Sequence, residues 1–458
     1  MTARVDAAPA DADEPAPSPR TQRLVADVVV TMDPTCRVLR PGALEVVGDR
    51  ISWVGARDDA PWRVPTAGRA GEQVVGGLLM PGLVNTHGHS AMTLMRGAGD
   101  GLSLDRWLRE SIWPREARLT PDDVWWGMAL GSAELLRAGV TTTCEQYLHA
   151  GVVADAALDA HIRCILTPGV FDLPGGGGQA TWQRCLDDAG TLHADAHGRG
   201  GLLSIGIGPH SAYALPEEGL AAVARIAGEL DALVHIHLAE TKAEGEVIEG
   251  RYGCSAPALL ERVGMLDGQV LAAHSVWLSD ADLDLLTSHD VAVAHCPQSN
   301  GKLGSGVARV AEMCARGLRV GIGTDGPASN DNLDLWEELR LAPLLARATA
   351  ADAGALRTLD ALSLATRGGA GALGVEAGCL VPGSLADLVR VDLDDPAFVP
   401  GLSDADLLSH LVWAASSRLV TDVWVGGRRV VEGGVCRTVD EPRARREVVE
   451  RARRLAGP

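Results

Sequence analysis

The chain has 458 residues, too many for one small domain and enough for a barrel with an accessory domain. Hydrophobic residues make up 46% and aromatics only 3%, with eleven Trp, three Tyr and two Phe, so a large core must be mostly Ala, Val and Leu. With 41 basic and 60 acidic residues the formal charge is −19, which argues against nucleic acid or an anionic membrane as a partner, because phosphate contacts need a basic face.

The opening stretch MTARVDAAPADADEPAPSPR has no apolar signal core, and its Ala, Asp and Pro content predicts a disordered segment over residues 1–21. Residues 22–56 read as short strands, with Gly48-Asp49 as a hairpin turn between two apolar stretches. The pattern returns near the other end, where ADLVRVDL (386–393) precedes VTDVWVGGRRVVEGG and Gly426-Gly427 marks the turn. These ends, 22–77 and 384–440, predict one small β-sandwich domain built from both termini. Residues 441–458 read as a charged terminal helix, a solvated surface helix rather than a basic binding tail.

Between them, 78–383 alternates short apolar runs with helical stretches, as βα units require. The runs are 78–87, 139–145, 162–169, 202–210, 232–240, 270–274, 291–297 and 319–325. Eight units fit a (β/α)8 TIM barrel better than an open sheet, although seven or nine strands would satisfy the same pattern. Thr120-Pro121-Asp122-Asp123 is a helix start, with an N-cap, a Pro in the first turn and two acids at the positive end of the dipole, and Gly139 can close that helix. The nine Cys are scattered, with no C-x-x-C pair, and predict reduced thiols in a cytoplasm. No apolar run reaches the roughly 18 residues of a membrane span.

Barrel sites lie at the C-terminal ends of the strands, and the polar residues of this chain collect there. His87 and His89 follow the first run, His210 the fourth, His237 and Glu240 the fifth, His274 the sixth, His295 the seventh and Asp325 the eighth. Any one of them would suit a hydrogen-bonded structural role. Together at one mouth they are costly to bury unless they bind a cation or each other. The H-x-H pair His87/His89 puts two imidazoles on one side of a strand, because side chains alternate. His237 and Asp325 complete three nitrogens and one oxygen, a set that zinc accepts with room for a water; Fe(II) accepts it too. Such an ion lowers the pKa of its water towards neutrality. Of the second H-x-H, His237 is the expected ligand because Glu240 follows it closely, and His235 is expected lower in the barrel.

PGLVNTHGH, HIHLAET, LAAHSVWL, AHCPQSNGKL and GIGTDGPASNDNLDLWEELR resemble the amidohydrolase superfamily, in its branch of aminohydrolases acting on purines and triazines. The resemblance spans residues 22–440. HGHSAMTLMRGAGDGLSLDRWLRESIWPREA looks most like the methylthioadenosine/S-adenosylhomocysteine deaminases. It implies a single divalent ion on His87, His89, His237 and Asp325. Glu240 then shuttles a proton, His274 contacts the substrate and the attacking water, and Asp325 takes the water proton. Glu116 and His210 match positions that touch the nucleoside, Glu116 suiting paired ribose hydroxyls. On its own Glu116, in WPREARL, could form a surface salt bridge, and Trp113 could stack on a base or pack under the loop. The implied reaction is hydrolytic deamination of an adenosine-like nucleoside, and relatives of this type are commonly homo-oligomers.

Gly301 stands where adenosine-type relatives carry a larger apolar residue, and HCPQSN with GSG also resembles the oxopurine deaminases. Deamination of an oxopurine, guanine or pterin, or displacement from a triazine-like ring, is therefore the alternative. A non-catalytic assembly protein of the same superfamily would have lost ligands, and all are present here. The glycine run Gly175 to Gly178 lacks the Gly-Lys-Ser/Thr of a P-loop and reads as a loop near the mouth.

Overall fold

In a computed structural model the structure describes residues 20–62, 71–172 and 181–457. The fold is α/β with parallel sheets. One four-stranded sheet contains β1 (Leu83–Gly88), β2 (Val140–Glu145), β3 (Arg163–Leu166) and β4 (Leu203–Ile205), all parallel. A second contains β5 (Val234–Leu238), β6 (Val270–His274), β7 (Ala292–His295) and β8 (Arg319–Ile322), also parallel. The sheets meet at both edges through single bridges, Gly88 to Asp325 on one side and Ile207 to Val234 on the other. The strands are buried along almost their whole length, as strands covered on both faces are.

The helices start where local chemistry provides caps. Pro121–Arg137 opens on a capping box in which Thr120 and Asp123 satisfy each other's backbone N–H, and Gly139, at φ +86°, follows its end. The terminal helix Glu441–Ala456 is less solvated than expected. It buries Ala444, Val448 and Leu455, and Arg451 and Arg454 pair with Asp122 and Asp123 at the start of Pro121–Arg137. Two of its arginines thus bind a neighbouring helix, while Arg443, Arg445, Arg446 and Arg453 stay exposed.

The terminal strands make two more sheets. Thr21–Ala26, Gly42–Val47, Arg50–Ala56 and Glu72–Val74 form the smaller. Gly48 (φ +65°) turns the expected two-residue hairpin, and Gly426 and Gly427, both at positive φ, turn the other. The larger sheet has seven strands and includes Leu78–Pro81, paired with Val28–Val30 and Leu388–Val391. The run 78–87 is therefore two strands, not one. The break is at Gly82, where a Cβ would come within 2.2 Å of the Thr141 side chain. Leu24, Leu44 and Ile51 of the smaller sheet share one apolar cluster with Leu79, Leu388 and Trp424 of the larger. The expected disordered segment falls largely on residues 1–19, outside the described residues, and Thr21 is already in a strand. The glycine run 175–178 also lies outside them.

Candidate metal centre and substrate cleft

The strand ends bring His87, His89, His237 and Asp325 together. The Asp325 Oδ1 lies 3.3 Å from the Nε2 of both His87 and His89, and the Nε2 atoms of His89 and His237 are 3.3 Å apart. Ligand atoms about 2.0–2.1 Å from one tetrahedral ion stand about 3.3 Å apart, so the spacing fits a single small cation. His87 Nε2 is buried with no hydrogen-bond partner, a vacancy in bonding that a metal would fill. Two overlapping groups meet the geometry of a metal site: His87, His89 and Asp325, and His87, His237 and His274. The donor set supports a divalent metal.

The outer ring nitrogens are fixed consistently. His89 Nδ1 donates to the Gln146 carbonyl and His237 Nδ1 to the His210 carbonyl at 2.8 Å. Carbonyls only accept, so both rings carry their proton on Nδ1 and leave Nε2 free. His87 reaches the same state through side chains. The Thr167 hydroxyl donates to the Glu145 carbonyl at 3.1 Å, so it accepts from His235 Nδ1 at 2.9 Å, and His235 Nε2 accepts from His87 Nδ1 at 2.8 Å. His235 does lie beneath the site, as expected, but it is bonded to it rather than merely packed. His274 Nδ1 faces Asn300 Oδ1 at 2.9 Å, leaving its Nε2 3.9 Å from Glu240.

Asp325 is held from behind, its Oδ2 accepting from Ser299 at 2.6 Å and Ser329 at 2.9 Å. Asp325 (φ +56°) and His274 (φ +69°) both sit in left-handed backbone, which non-glycine residues adopt at a cost of order 1–3 kcal/mol where the surroundings over-determine it. Burial pushes the Asp325 carboxyl up, but the adjacent His87, with His89 and His274, holds it well below the usual range. Burial drives His87 down to about 3 and His210 to about 4, and His237 well below its ordinary value. These rings stay neutral, as metal ligands must. Burial raises Glu240, against the opposing effect of His274. Burial lowers His274, but Glu240, Asp325 and the Asn300 bond outweigh it and raise it.

Several contributors had not been singled out in the sequence. Glu145, fully buried at the end of β2, accepts from the Ser90 backbone at 2.8 Å and from Thr143 at 2.8 Å, anchoring the turn after His89. Ser299, Ser329, Asn300 and Gln146 are the others. Only Glu145 carried a signal, as one more acid at a strand end.

These groups open into a cleft whose empty space, counted out into solvent at its mouth, is about 860 Å³. Glu116, His210 and Trp113 all line it. Glu116 is half-buried, and burial raises its carboxyl, the neighbouring Tyr147 hydroxyl and His89 acting against this. It forms no surface salt bridge among the described residues. His210 stacks on His237, with ring centroids 4.7 Å apart. His295 is fully buried, both ring nitrogens unpartnered, and does not line the cleft. Gly301 does not line the cleft either, and a Cβ there would meet nothing within 4 Å, whereas Leu303 is part of the lining.

The family model for the amidohydrolase family matches residues 78–430, and the chain belongs to that family. It is 40% identical over 430 residues, 93% of this chain and 97% of the other, to a 5-methylthioadenosine/S-adenosylhomocysteine deaminase of Pelotomaculum thermopropionicum. A 5′-deoxyadenosine deaminase of Methanothermobacter thermautotrophicus is 40% identical, with 80% of this chain and 84% of that one covered. Among solved structures, a zinc-bound adenosine deaminase from Xanthomonas campestris superposes with TM-score 0.89 at 34% identity, covering 96% and 99% of the two chains. A zinc complex of atrazine chlorohydrolase from Arthrobacter aurescens gives TM-score 0.84 at 25% identity, covering 94% and 100%. The chain is thus a metal-dependent hydrolase of the aminohydrolase type.

Proposed function

We propose that this protein is a zinc-dependent deaminase of adenosine-type nucleosides, methylthioadenosine, S-adenosylhomocysteine, adenosine or 5′-deoxyadenosine, releasing ammonia. The proposal includes a closed (β/α)8 barrel, supported by eight parallel strands bridged at both seams, and a β-sandwich accessory domain, supported by the apolar cluster shared between the terminal sheets. The nine unpaired cysteines support a reducing cytoplasm. Among the described residues no helix is long and apolar enough to cross a membrane. A homo-oligomer is proposed from the family resemblance, and light scattering on the purified chain tests it.

The observation that carries the functional reading is the convergence, in one cleft, of a four-donor cation site, the buried Glu240–His274 pair and the Glu116 carboxylate. In the assigned roles His87, His89, His237 and Asp325 hold the ion. When bound there, zinc supplies Lewis acidity and a nucleophilic water at neutral pH. Glu240, whose carboxyl burial pushes up, donates in its protonated form to the ring nitrogen beside the carbon under attack. His274 Nε2, freed by the Asn300 bond, stabilises the oxygen that adds to that carbon. Asp325 accepts the proton lost by the attacking water and passes it towards the departing amine. Glu116 accepts from paired ribose hydroxyls, and His210 and Trp113 flank the nucleoside.

An ammonia-release screen of the zinc-loaded chain tests this. It should cover adenosine nucleosides, guanine, oxopurines, pterins and amino-triazines. Turnover of at least one adenosine nucleoside above the free bases is expected. Turnover confined to an oxopurine, or to a triazine, would overturn the substrate class and leave the metal chemistry standing.

A further inference from the structure

We infer, resting on the nucleoside reading above, that the cleft selects nucleosides with a small, neutral, apolar 5′ substituent, such as hydrogen or methylthio. A zwitterionic amino-acid tail, as in S-adenosylhomocysteine, is selected against. The observation is the composition of the wall. From 104 to 116 the chain forms helical turns with a wide i→i+5 turn over Trp107–Ile112, closed by the Trp113 N–H on the Leu108 carbonyl. This wall turns Leu104, Trp107, Leu108 and Ile112 into the cleft and ends on Glu116. Leu148 and Phe171 line it as well.

No Lys or Arg lines the cleft among the described residues. The acidic and imidazole groups that do face it are Glu116, Glu240 and Asp325 with His89, His210, His237 and His274, the residues of the metal centre and its surroundings. Arg109 stands on the same 104–116 segment. Its guanidinium lies 5.7 Å from the Trp113 ring centroid but is exposed and bound to Asp105 at 2.6 Å, so the pair is neutral and already solvated. A substrate carboxylate entering this wall leaves water without gaining a cation, whereas a methylthio group gains contact area.

The inference is tested by comparing kcat/KM of the zinc-loaded full chain for 5′-deoxyadenosine, methylthioadenosine, adenosine and S-adenosylhomocysteine. The first two should exceed S-adenosylhomocysteine by about tenfold or more. In Phe171→Arg and Leu108→Arg, each of which adds the missing cation, the ratio of methylthioadenosine to S-adenosylhomocysteine should fall, through a gain on the charged substrate. Equal or better use of S-adenosylhomocysteine by the unaltered chain overturns the inference but leaves the deaminase reading intact. If Arg109→Ala then removes that activity selectively, the tail is captured by Arg109 instead. Failure of every nucleoside, with a free base or triazine turning over, overturns both readings together.

Discussion

The inner end and the outer wall of the cleft are built on opposite plans. At the inner end each of the five histidines, His87, His89, His235, His237 and His274, has its Nδ1 engaged by a partner from another strand or loop. Asp325 is clamped by Ser299, in the short helix Pro297–Lys302, and by Ser329, in the turn that follows Asp325. The outer wall comes largely from one local stretch, 104–116, and is apolar until Glu116. The chemistry therefore depends on the whole sheet system, and selectivity depends on one segment that can change without disturbing it.

The predictions follow this division. Glu240→Gln should lower kcat by about 10²–10⁴-fold while zinc content stays at one ion per chain, because it removes a proton and no ligand. Glu116→Ala should lower kcat/KM for nucleosides by about 10–100-fold and leave a turned-over free base unaffected, since only the ribose loses its acceptor. Equal losses on both would assign Glu116 to the ring rather than the sugar. His235→Ala should weaken zinc binding by about 10–100-fold in chelator competition, because His87 then loses the partner that fixes its tautomer. Unchanged zinc affinity would reduce His235 to packing.

The smallest effect concerns stability. Burial holds His295 down at about 3, so the unfolded chain takes up a proton at about 6.5 that the folded chain refuses. Its neutral form contributes stability above pH 6.5, and this is lost as pH falls towards 3, at up to about 1.4 kcal/mol per unit. Denaturant midpoints between pH 7 and 5 should fall less steeply in His295→Gln than in the unaltered chain. Parallel slopes would show that His295 is not protonated on unfolding in this range.

The two ends also differ in how readily the sequence discloses them. His87, His89, His237 and Asp325 stand out because polar residues at the ends of apolar runs violate the pattern around them. Their supports do not. Gln146 and His210 act through backbone carbonyls, which every residue has, and Ser299 and Ser329 are ordinary small polar residues until the fold turns them onto Asp325. The division of 78–87 into two strands escapes a hydrophobic pattern because Gly82 interrupts neither apolarity nor length. The spacing of Leu104, Leu108, Ile112 and Glu116 was available as a helical stripe, but which surface it faced required the fold.

The central claim is that the strand-end donors hold a single ion on which deamination depends. The most direct measurement is ammonia release from methylthioadenosine by the chelator-stripped chain, titrated with zinc. No release is expected from the stripped protein, with recovery that saturates at one zinc per chain and is absent in Asp325→Ala. Full activity in the stripped protein, or recovery unaffected by Asp325→Ala, would contradict it.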